Sequence, residues 1–524
     1  MPNFKRLPYD IQRHILSFIL SNRDVAAMSR QSRDLHSLCD MKTREKYHQA
    51  RISHNNLDHA FDMLMDILRR PSLGQYVRHI DCRASPTAYK EYVESGCERQ
   101  LNDEDKQLLQ SAARRAGLTA SKEGQIMNML LRKTAFDPMR DSYSSNSDMS
   151  GAFVPQALAA LLVSVSPNLE SMTLSPPYFN FTGYYWPESR KQDITSIVFP
   201  LEQLLRETNS NPNDKPWLQN LRKVYLVNEP RGTWDDDRFY HSMDFQGCLV
   251  LFDQLPSIEL VGTDLLEEDE NGYPSLGHAI SNVSRFAINH ASLSAAYLAV
   301  VISSCKTLRE FRFSIGGRAT NDGGYPTFSP KTFIKAILMH RETLEVLDLD
   351  IDAHIIGFAE GADEETTEHD FENYDCREEI ELSEGPPPEA LWTQAGSLKD
   401  LRALKRLSLG IGFLMYLAKG VRSTNGFFSR EFMLVDELPE GLEYLCIRGY
   451  EKGRNPDHDK QIDALRSLLQ KGSSTLKTVE GIDKLIPHAE DVDDPDNNTH
   501  LLWNPEVTQS DESDLDDSES ENSN

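Results

Sequence analysis

The residues to consider first are those whose types and spacing could support chemistry. Three consecutive carboxylates, residues 235–237, precede His241 in the stretch WDDDRFYH and could coordinate a divalent cation. Carboxylates in such a turn are far more often simply solvated. His79 and Cys82 could serve a nucleophile or a metal. Both fall in a predicted strand in which Cys82 and Ile80 alternate inward, so a core thiol is the favoured interpretation.

A second acidic group has the spacing of a strand. Asp348, Asp350 and Asp352 alternate with Leu349 and Ile351, and outward-facing strand carboxylates explain this pattern without catalysis. The chain also has no phosphate-binding loop, dinucleotide fingerprint, nucleophile elbow or paired-histidine zinc motif. We therefore predict no catalytic, cofactor-binding or metal-binding residue, and we disfavour a hydrolase or transferase whose site is built from dispersed residues.

The formal net charge of -27 is concentrated in two segments of the 524-residue chain. Residues 359–389 hold 13 acidic residues and one base, and residues 489–524 hold 13 acidic residues and no Lys or Arg. The rest of the chain is nearly neutral, so we expect no nucleic-acid partner. Both acidic segments are too charged to pack, and the sequence predicts a disordered insert (359–389) and a disordered tail (488–524).

Cysteine usage and hydropathy bear on the compartment. The seven cysteines are scattered and form no C-x-x-C pair, as expected for a reducing environment rather than for a disulfide framework or a structural zinc site. Apolar runs such as residues 157–163 and 297–302 are too short to span a bilayer. We therefore expect a cytoplasmic or nuclear protein with no membrane partner.

The elements that would carry any function begin with a short helical module. Pro8 suits the first position of a helix, and Leu7, Ile11 and Ile15 then recur every four residues as an apolar stripe. Residues 22–39 predict one or two further short helices. So small a bundle is below the size at which one core is comfortable alone, which predicts that something else covers its stripe.

From residue 57 onward a different pattern repeats, in which an apolar helical run is followed by a turn and a short strand spaced L-x-x-L-x-L. The predicted strands are Val77/Ile80/Cys82, Leu169/Met172/Leu174, Leu221/Val224/Leu226, Leu255/Ile258/Leu260, Val283/Phe286/Ile288, Leu308/Phe311/Phe313, Leu344/Leu347/Leu349, Leu404/Leu407/Leu409, Leu442/Leu445/Ile447 and Leu476/Val479. A helix followed by a strand, stacked in register, is the unit of a leucine-rich-repeat solenoid. The predicted fold is therefore α/β: a small helical module, then an irregular solenoid over residues 57–487 with parallel strands on one side and helices on the other.

The N-terminal module also resembles a known family. The residues that carry the resemblance are Leu7-Pro8, Asp10-Ile11, Ile15-Leu16 and Ser32-Arg33 with Leu35 and Leu38. They are similar to the F-box, by which substrate receptors dock onto the Skp-type adaptor of SCF ubiquitin ligases. The resemblance covers roughly residues 3–50, and the F-box domain that it implies is residues 1–50. It implies binding to that adaptor and through it to a cullin, while the repeat body holds a protein substrate whose identity the sequence does not give.

The expected adaptor-binding residues are Leu7, Pro8, Ile11, Ile15, Leu16, Leu35 and Leu38. The mechanism that the resemblance implies is proximity, with no catalytic group supplied by this chain. One alternative is that the stripe folds back onto the first repeat as the N-terminal cap of the solenoid. Another is a leucine-rich-repeat scaffold that binds partners and recruits no ligase.

Overall fold

The structure is a computed structural model. It describes residues 4, 7–17, 19, 22–53, 57–83, 99–118, 124, 126–127, 130–131, 154–177, 199–227, 240–267, 276–316, 328–352, 389–423, 431–471 and 475–488. The carboxylates at 235–237, the acidic insert up to residue 388 and the acidic tail from residue 489 lie outside the described residues.

Within that part of the chain, fourteen α-helices are present. They are α1 (Tyr9–Ser17), α2 (Asn22–Ser29), α3 (Arg33–Cys39), α4 (Met41–His48), α5 (Leu57–Arg69), α6 (Asp103–Arg115), α7 (Val154–Ser164), α8 (Pro200–Ser210), α9 (Phe245–Leu249), α10 (Ala295–Ser304), α11 (Pro330–Leu338), α12 (Glu389–Trp392), α13 (Ile411–Lys419) and α14 (Pro456–Lys471). None of these helices is long and apolar enough to cross a membrane.

The strands form one large parallel sheet. They are β1 (Gln49–Ile52), β2 (His79–Cys82), β3 (Ser171–Leu174), β4 (Lys223–Leu226), β5 (His241–Ser242), β6 (Leu260–Asp264), β7 (Leu266–Glu267), β8 (Arg285–Asn289), β9 (Glu310–Ser314), β10 (Val346–Asp350), β11 (Arg406–Gly410), β12 (Tyr444–Arg448) and β13 (Thr478–Glu480). Eleven of them pair in chain order, and β5 pairs with β7 in a separate two-stranded sheet. The mixed α/β class, with a large parallel sheet, is thereby confirmed.

One face of the large sheet packs against helices and forms a continuous core. Alternate residues of each strand point inward, as Leu347 and Leu349 of β10 do, and both are fully buried. In the middle of the core, Phe286 and Phe311 are register partners on β8 and β9, with ring centroids 6.3 Å apart. The Phe311 ring also lies 5.7 Å from that of Phe333 on α11. These aromatic contacts link neighbouring strand and helix units.

Two strands differ from the sequence prediction. At β6 the inward L-x-x-L-x-L positions are held by Ile258, Val261 and Thr263. This is three residues later than the predicted Leu255/Ile258/Leu260, because Val261 pairs with Val224 and Phe286. The buried threonine breaks the apolar template, which explains the wrong register. Strand β1 was not predicted; it follows α4 without an intervening residue and pairs with β2 at the start of the sheet.

Polar side chains just before several strands hold each turn onto the preceding one. Asn168 donates to the carbonyl of Gln75 at 3.1 Å, and Asn220 donates to that of Pro167 at 3.0 Å. Three residues before later strands, further side chains donate to backbone carbonyls: Asn282 to that of Leu255, Thr343 to that of Leu308 and Thr475 to that of Glu440. A side-chain donor three residues before the strand thus bonds to the preceding turn at five places along the sheet.

The residue immediately before each strand from β2 to β13 of the large sheet belongs to a further ladder. In sheet order these residues are Arg78, Glu170, Arg222, Glu259, Ser284, Arg309, Glu345, Lys405, Glu443 and Lys477. Each amide donates to the carbonyl of the preceding member, and the charges alternate except at the serine. Ion pairs along it include Lys405 with Glu345 at 2.7 Å and Lys477 with Glu443 at 2.8 Å. We call this row the charge ladder.

Candidate functional site

The N-terminal helices form a small bundle with a core of its own. The buried apolar residues of this core are Leu16, Val25, Leu35, Leu38 and Cys39. Ser32 caps α3 by accepting a hydrogen bond from the amide of Leu35 at 3.2 Å, which fixes where that helix begins. The turn into α4 is made by Asp40 in a left-handed conformation, with φ of 44°. The bundle is therefore folded by local signals and by very few core side chains.

The surface of α1 carries an uncovered apolar stripe. Ile11 and Ile15 lie one helical turn apart and are 46% and 39% exposed, and Pro8, one turn before Ile11, is also exposed. Tyr9, elsewhere on the helix, is 55% exposed. The other exposed large apolar side chains among the described residues are Ile280 and Leu485, far along the chain. Three of five such side chains thus lie on one nine-residue helix.

The seven residues expected to contact an adaptor separate into two groups. Leu7 is half-buried, and Pro8, Ile11 and Ile15 are exposed. Leu16, Leu35 and Leu38 instead point into the bundle and are 2%, 9% and 7% exposed. Leu16 lies on the opposite side of α1 from Ile11 and Ile15, so it packs on α2 and α3 rather than widening the stripe. The docking stripe that we consider below is Leu7, Pro8, Ile11 and Ile15.

A buried arginine joins this bundle to the body. Arg44 of α4 is 2% exposed and donates to the carbonyls of Leu16 at 2.8 Å and Ile19 at 3.3 Å, where α1 ends. Its guanidinium lies 4.9 Å from the ring centroid of Tyr76, which follows α5 in the body. A cation at the carboxyl end of a helix satisfies carbonyls that have no helical partner. Arg44 thus hydrogen-bonds to the end of α1 and, at the same time, stacks on Tyr76 of the body.

Other contacts make the junction rigid. The Tyr47 hydroxyl donates to Asp66 of α5 at 2.6 Å, and the backbone amide of Arg78 donates to the carbonyl of His48 at 2.9 Å. The hydrogen bond from Tyr47 lowers the pKa of the Asp66 carboxyl and keeps it ionised. Because α4 runs directly into β1, the bundle has a fixed orientation relative to the sheet.

The first of the sequence-predicted chemical groups proves to be structural. Cys82 is 2% exposed and packs in the core, as predicted for a core thiol. His79 points outward from β2, with Nδ1 2.5 Å from the Ser171 hydroxyl and its ring 4.7 Å from that of His48. Burial, together with the charge of Arg78, lowers the pKa of His79 to about 4, so it is neutral at physiological pH. A nucleophilic pair is not formed.

Asp348 and Asp350 point outward from β10, as predicted, but both form ion pairs. Arg448 of β12 reaches across β11 to bind Asp348 Oδ1 at 3.0 Å, because the intervening positions hold Ser408 and Gly410. His488 Nδ1 lies 2.8 Å from Asp350 Oδ1. Burial alone lowers the pKa of His488, but the Asp350 hydrogen bond and the nearby Asp352 raise it above its usual value.

The prediction that Asp352 is an outward strand carboxylate is wrong. Asp352 is 4% exposed, and one of its oxygens accepts hydrogen bonds from the amides of Gly412 at 2.8 Å and Phe413 at 3.1 Å. The N-cap residue of α13 is Gly410, which has no side chain to cap the helix, so Asp352 caps it from one strand away. A Cβ on Gly410 would lie 2.1 Å from the Asp352 carboxyl carbon. Burial raises the pKa of Asp352 to about 6.

No group of three or more His, Cys, Asp or Glu residues in the described part of the chain is arranged to hold a metal ion. The five described cysteines are buried and form no disulfide with one another, and burial raises the pKa of Cys305 to about 12. A thiol with so high a pKa is a poor nucleophile. The outstanding feature of the described surface is the exposed apolar stripe on α1.

Comparisons with known proteins add no relative. Neither a scan against models of protein families nor a search of curated proteins finds a match to this chain.

Proposed function

We propose that this protein is a substrate receptor of an SCF-type ubiquitin ligase. In this proposal residues 1–50 are an F-box that binds the Skp-type adaptor and through it a cullin. Residues 57–487 are an irregular leucine-rich-repeat body that binds a target protein. The observation that carries the proposal is the apolar stripe of Leu7, Pro8, Ile11 and Ile15, left uncovered on a bundle whose described core is small.

The stripe favours an external partner over the cap interpretation. A bundle that served only to close the first repeat would direct its apolar side chains at the body, as Tyr47 and Ala50 are directed. Ile11 and Ile15 remain in solvent although the bundle is already anchored to the body by Arg44. An exposed apolar patch of this kind marks a protein interaction site.

The energies are adequate for docking. Fully burying an Ile side chain is worth about 1.5–3 kcal/mol, so covering what remains exposed of Ile11 and Ile15 contributes about 1 kcal/mol each. Tyr9 adds an aromatic side chain with a hydrogen-bonding group, a type enriched at interfaces. The main contribution to such an interface would come from these few anchors.

The rigid junction supports a proximity mechanism. A receptor that holds a target near a ubiquitin-charged enzyme acts by raising effective concentration, and a fixed geometry between the two binding surfaces preserves that effect. The direct continuation of α4 into β1, the Arg44 contacts and the Tyr47–Asp66 hydrogen bond provide this geometry. No side chain of the body is assigned a catalytic role.

The test is co-purification of the full chain with a Skp-type adaptor. We expect the double variant Ile11→Asp/Ile15→Asp to reduce adaptor affinity by at least about 100-fold, because two charges would be buried at the contact. The matched control is Ile280→Asp, a body isoleucine whose exposed fraction, 38%, is close to that of Ile15. Circular dichroism verifies that all variants remain folded.

Undiminished adaptor binding by the double variant, with the control also unaffected, would contradict the assignment of this stripe. Absence of adaptor binding by the wild-type chain would favour the repeat scaffold that recruits no ligase.

A further inference from the structure

The large sheet has an open face, which we define as the side chains of its strands that alternate with those of the core. From β1 to β11, the strand residues of this sheet that are exposed to solvent are all cationic: Arg51, Lys223, Arg285, Arg312 and Arg406. About half of the Arg285 and Arg312 side chains, 49% in each case, is exposed. The side chains that a ligand would meet first on this face therefore carry positive charge.

The acidic residues of the same strands are less exposed than these cations, and each already has an ion-pair partner. Their partners are Arg83 for Asp81 at 3.0 Å, His290 for Asp264 at 2.8 Å, Arg312 for Glu310 at 2.6 Å, Arg448 for Asp348 at 3.0 Å and His488 for Asp350 at 2.8 Å. Each of these carboxylates is less than one-third exposed. Arg285 also lies 3.7 Å from Glu310, which it shares with Arg312. Within these strands the cations are therefore the more exposed charges, although the chain as a whole has a net charge of -27.

The last described residues bring the acidic tail to this face. After β13 the chain returns over the sheet, and the carbonyl of Ile486 accepts a hydrogen bond from the amide of Gly449 at 2.9 Å. His488 then binds Asp350, at the carboxyl end of β10 and on the open face. Residues 489–524, with 13 acidic residues and no Lys or Arg, continue from this point.

We propose that residues 489–524 bind across the open face of the same chain through Arg285, Arg312 and Arg406. Arg312 and Arg406 are on the two strands that flank β10, and Arg312 is the register partner of Asp348, two residues before Asp350. Arg406 is the register partner of Val346, four residues before Asp350. At about 4.8 Å between strands and about 3.3 Å per residue, the backbones of Arg312 and Arg406 lie about 8 Å and about 14 Å from that of Asp350, to which His488 binds just before the tail begins.

Reach and affinity both allow this contact. The 36 residues could extend over about 120 Å, whereas the sheet from β1 to β10 is about 35 Å wide. Individual exposed ion pairs are weak. A tether of this kind gives a local concentration of about 1 mM, so a contact with a dissociation constant near 1 mM would be formed about half of the time.

The other acidic segment is a less suitable occupant. It follows Asp352, whose carboxylate is buried beneath α13 rather than directed at the open face. It is also attached at both ends, since α12 begins at Glu389. The tail, by contrast, leaves from a residue that is bonded to the open face itself.

The experiment uses the full chain with the photo-crosslinking residue p-benzoylphenylalanine at Ala287, an outward position on β8 whose register partner on β9 is Arg312. The matched control places the same residue at Arg206, which is 55% exposed on α8 on the helical side. We expect irradiation to join position 287, but not position 206, to peptides from residues 489–524 within one chain. Raising the salt from about 50 mM to about 500 mM should reduce the yield at least about fivefold, because exposed charges are then screened.

Two variants distinguish loss of the proposed contact from a folding defect. The variant Arg285→Glu/Arg312→Glu/Arg406→Glu should reduce the yield at least about fivefold, as expected when attraction becomes repulsion. Replacing Asp511, Glu512, Asp514, Asp516 and Asp517 with Ser should do the same without any change to the sheet. Crosslinks from position 287 to residues 353–388, crosslinks only between chains, or no crosslink to the tail would each overturn the proposal. None of these readouts involves the adaptor.

Discussion

The N-terminal bundle and the body, which contains the large parallel sheet, are stabilised in different ways. The body has one apolar core that continues from Tyr47 to Ile482, with stacked strands and a series of phenylalanine rings at its centre. Among the described residues, the bundle has five buried apolar side chains, and the buried Arg44 closes the end of α1. Among the described residues of the body, nearly all large apolar side chains are buried or partly buried, whereas α1 alone exposes three.

This difference shows how a small module can remain available for binding. Because its core is small, its stability depends on attachment to the body, and its remaining apolar surface is not consumed by folding. The body buries much more apolar surface than the bundle, so it tolerates irregular connections between its units. The following predictions test whether the two regions are stabilised as described, beginning with the largest expected effect.

Removing a central ring should affect the body most strongly. Phe311→Ala deletes a fully buried side chain in contact with Phe286 and Phe333, and we expect the free energy of unfolding to fall by about 3–5 kcal/mol. Urea denaturation followed by circular dichroism measures this change. Phe432→Ala, at a partly buried position beside the same core, should have a clearly smaller effect. Equal effects would contradict the importance given to the central rings.

In the bundle, removal of a polar contact should have the next largest effect. Arg44→Met removes both hydrogen bonds to the end of α1, and we expect a local loss of about 2–3 kcal/mol. Hydrogen exchange measured by mass spectrometry should show faster exchange in residues 9–39, with peptides of β8 to β11 unchanged. Arg30→Ala, at an exposed position, serves as the control. Faster exchange throughout the chain would indicate that the two regions do not unfold separately.

The buried cap of α13 should make stability depend on pH. The folded pKa of Asp352, about 6, is above the ordinary value for an unfolded chain, so the stability this carboxyl contributes is fully present below about pH 4 and is lost as the pH rises through 6. Relative to wild type, Asp352→Asn should therefore gain about 1–3 kcal/mol between pH 4 and pH 7. Denaturation midpoints at several pH values measure this difference. Asp463→Asn, at an exposed carboxylate, should show little such trend.

The smallest effect should come from the charge ladder. Glu345→Lys places a third cation between Arg309 and Lys405, and we expect a loss of about 0.5 kcal/mol at low salt, because exposed ion pairs contribute little. Glu345→Gln should lose less. Thermal denaturation at about 20 mM and about 500 mM salt provides the measurement, and a loss that persisted at high salt would rule out an electrostatic origin.

The strands of the body could be predicted from the sequence because their inward residues are mostly large and apolar. Nine of the ten predicted strands have the expected register. The exception, β6, has Thr263 where the template requires an apolar residue. Strand β1, with the sequence QARI, offers too few apolar residues to be distinguished from the preceding helix. Which strands pair with one another depends on how successive units stack, and the sequence of a single segment does not reveal this.

The candidate site could be predicted only in part. The helix and its apolar character follow from Pro8 and the spacing of Ile11 and Ile15, but Leu16 is also apolar, and only the packed bundle shows which side faces inward. The role of Asp352 was not predictable, since the helix that it caps begins about 60 residues later in the chain. Long-range contacts of this kind leave no local pattern.

The alternation of charges before successive strands has a consequence for how such an array changes its length during evolution. Duplicating or deleting one unit would usually bring two like charges together, whereas a change by two units would preserve the alternation. Ser284 marks the exception, because without its unit Glu259 would be followed directly by Arg309 and the alternation would be unbroken. The β8 unit is thus the one whose loss this row of charges would tolerate best, and elsewhere units should be gained or lost in pairs.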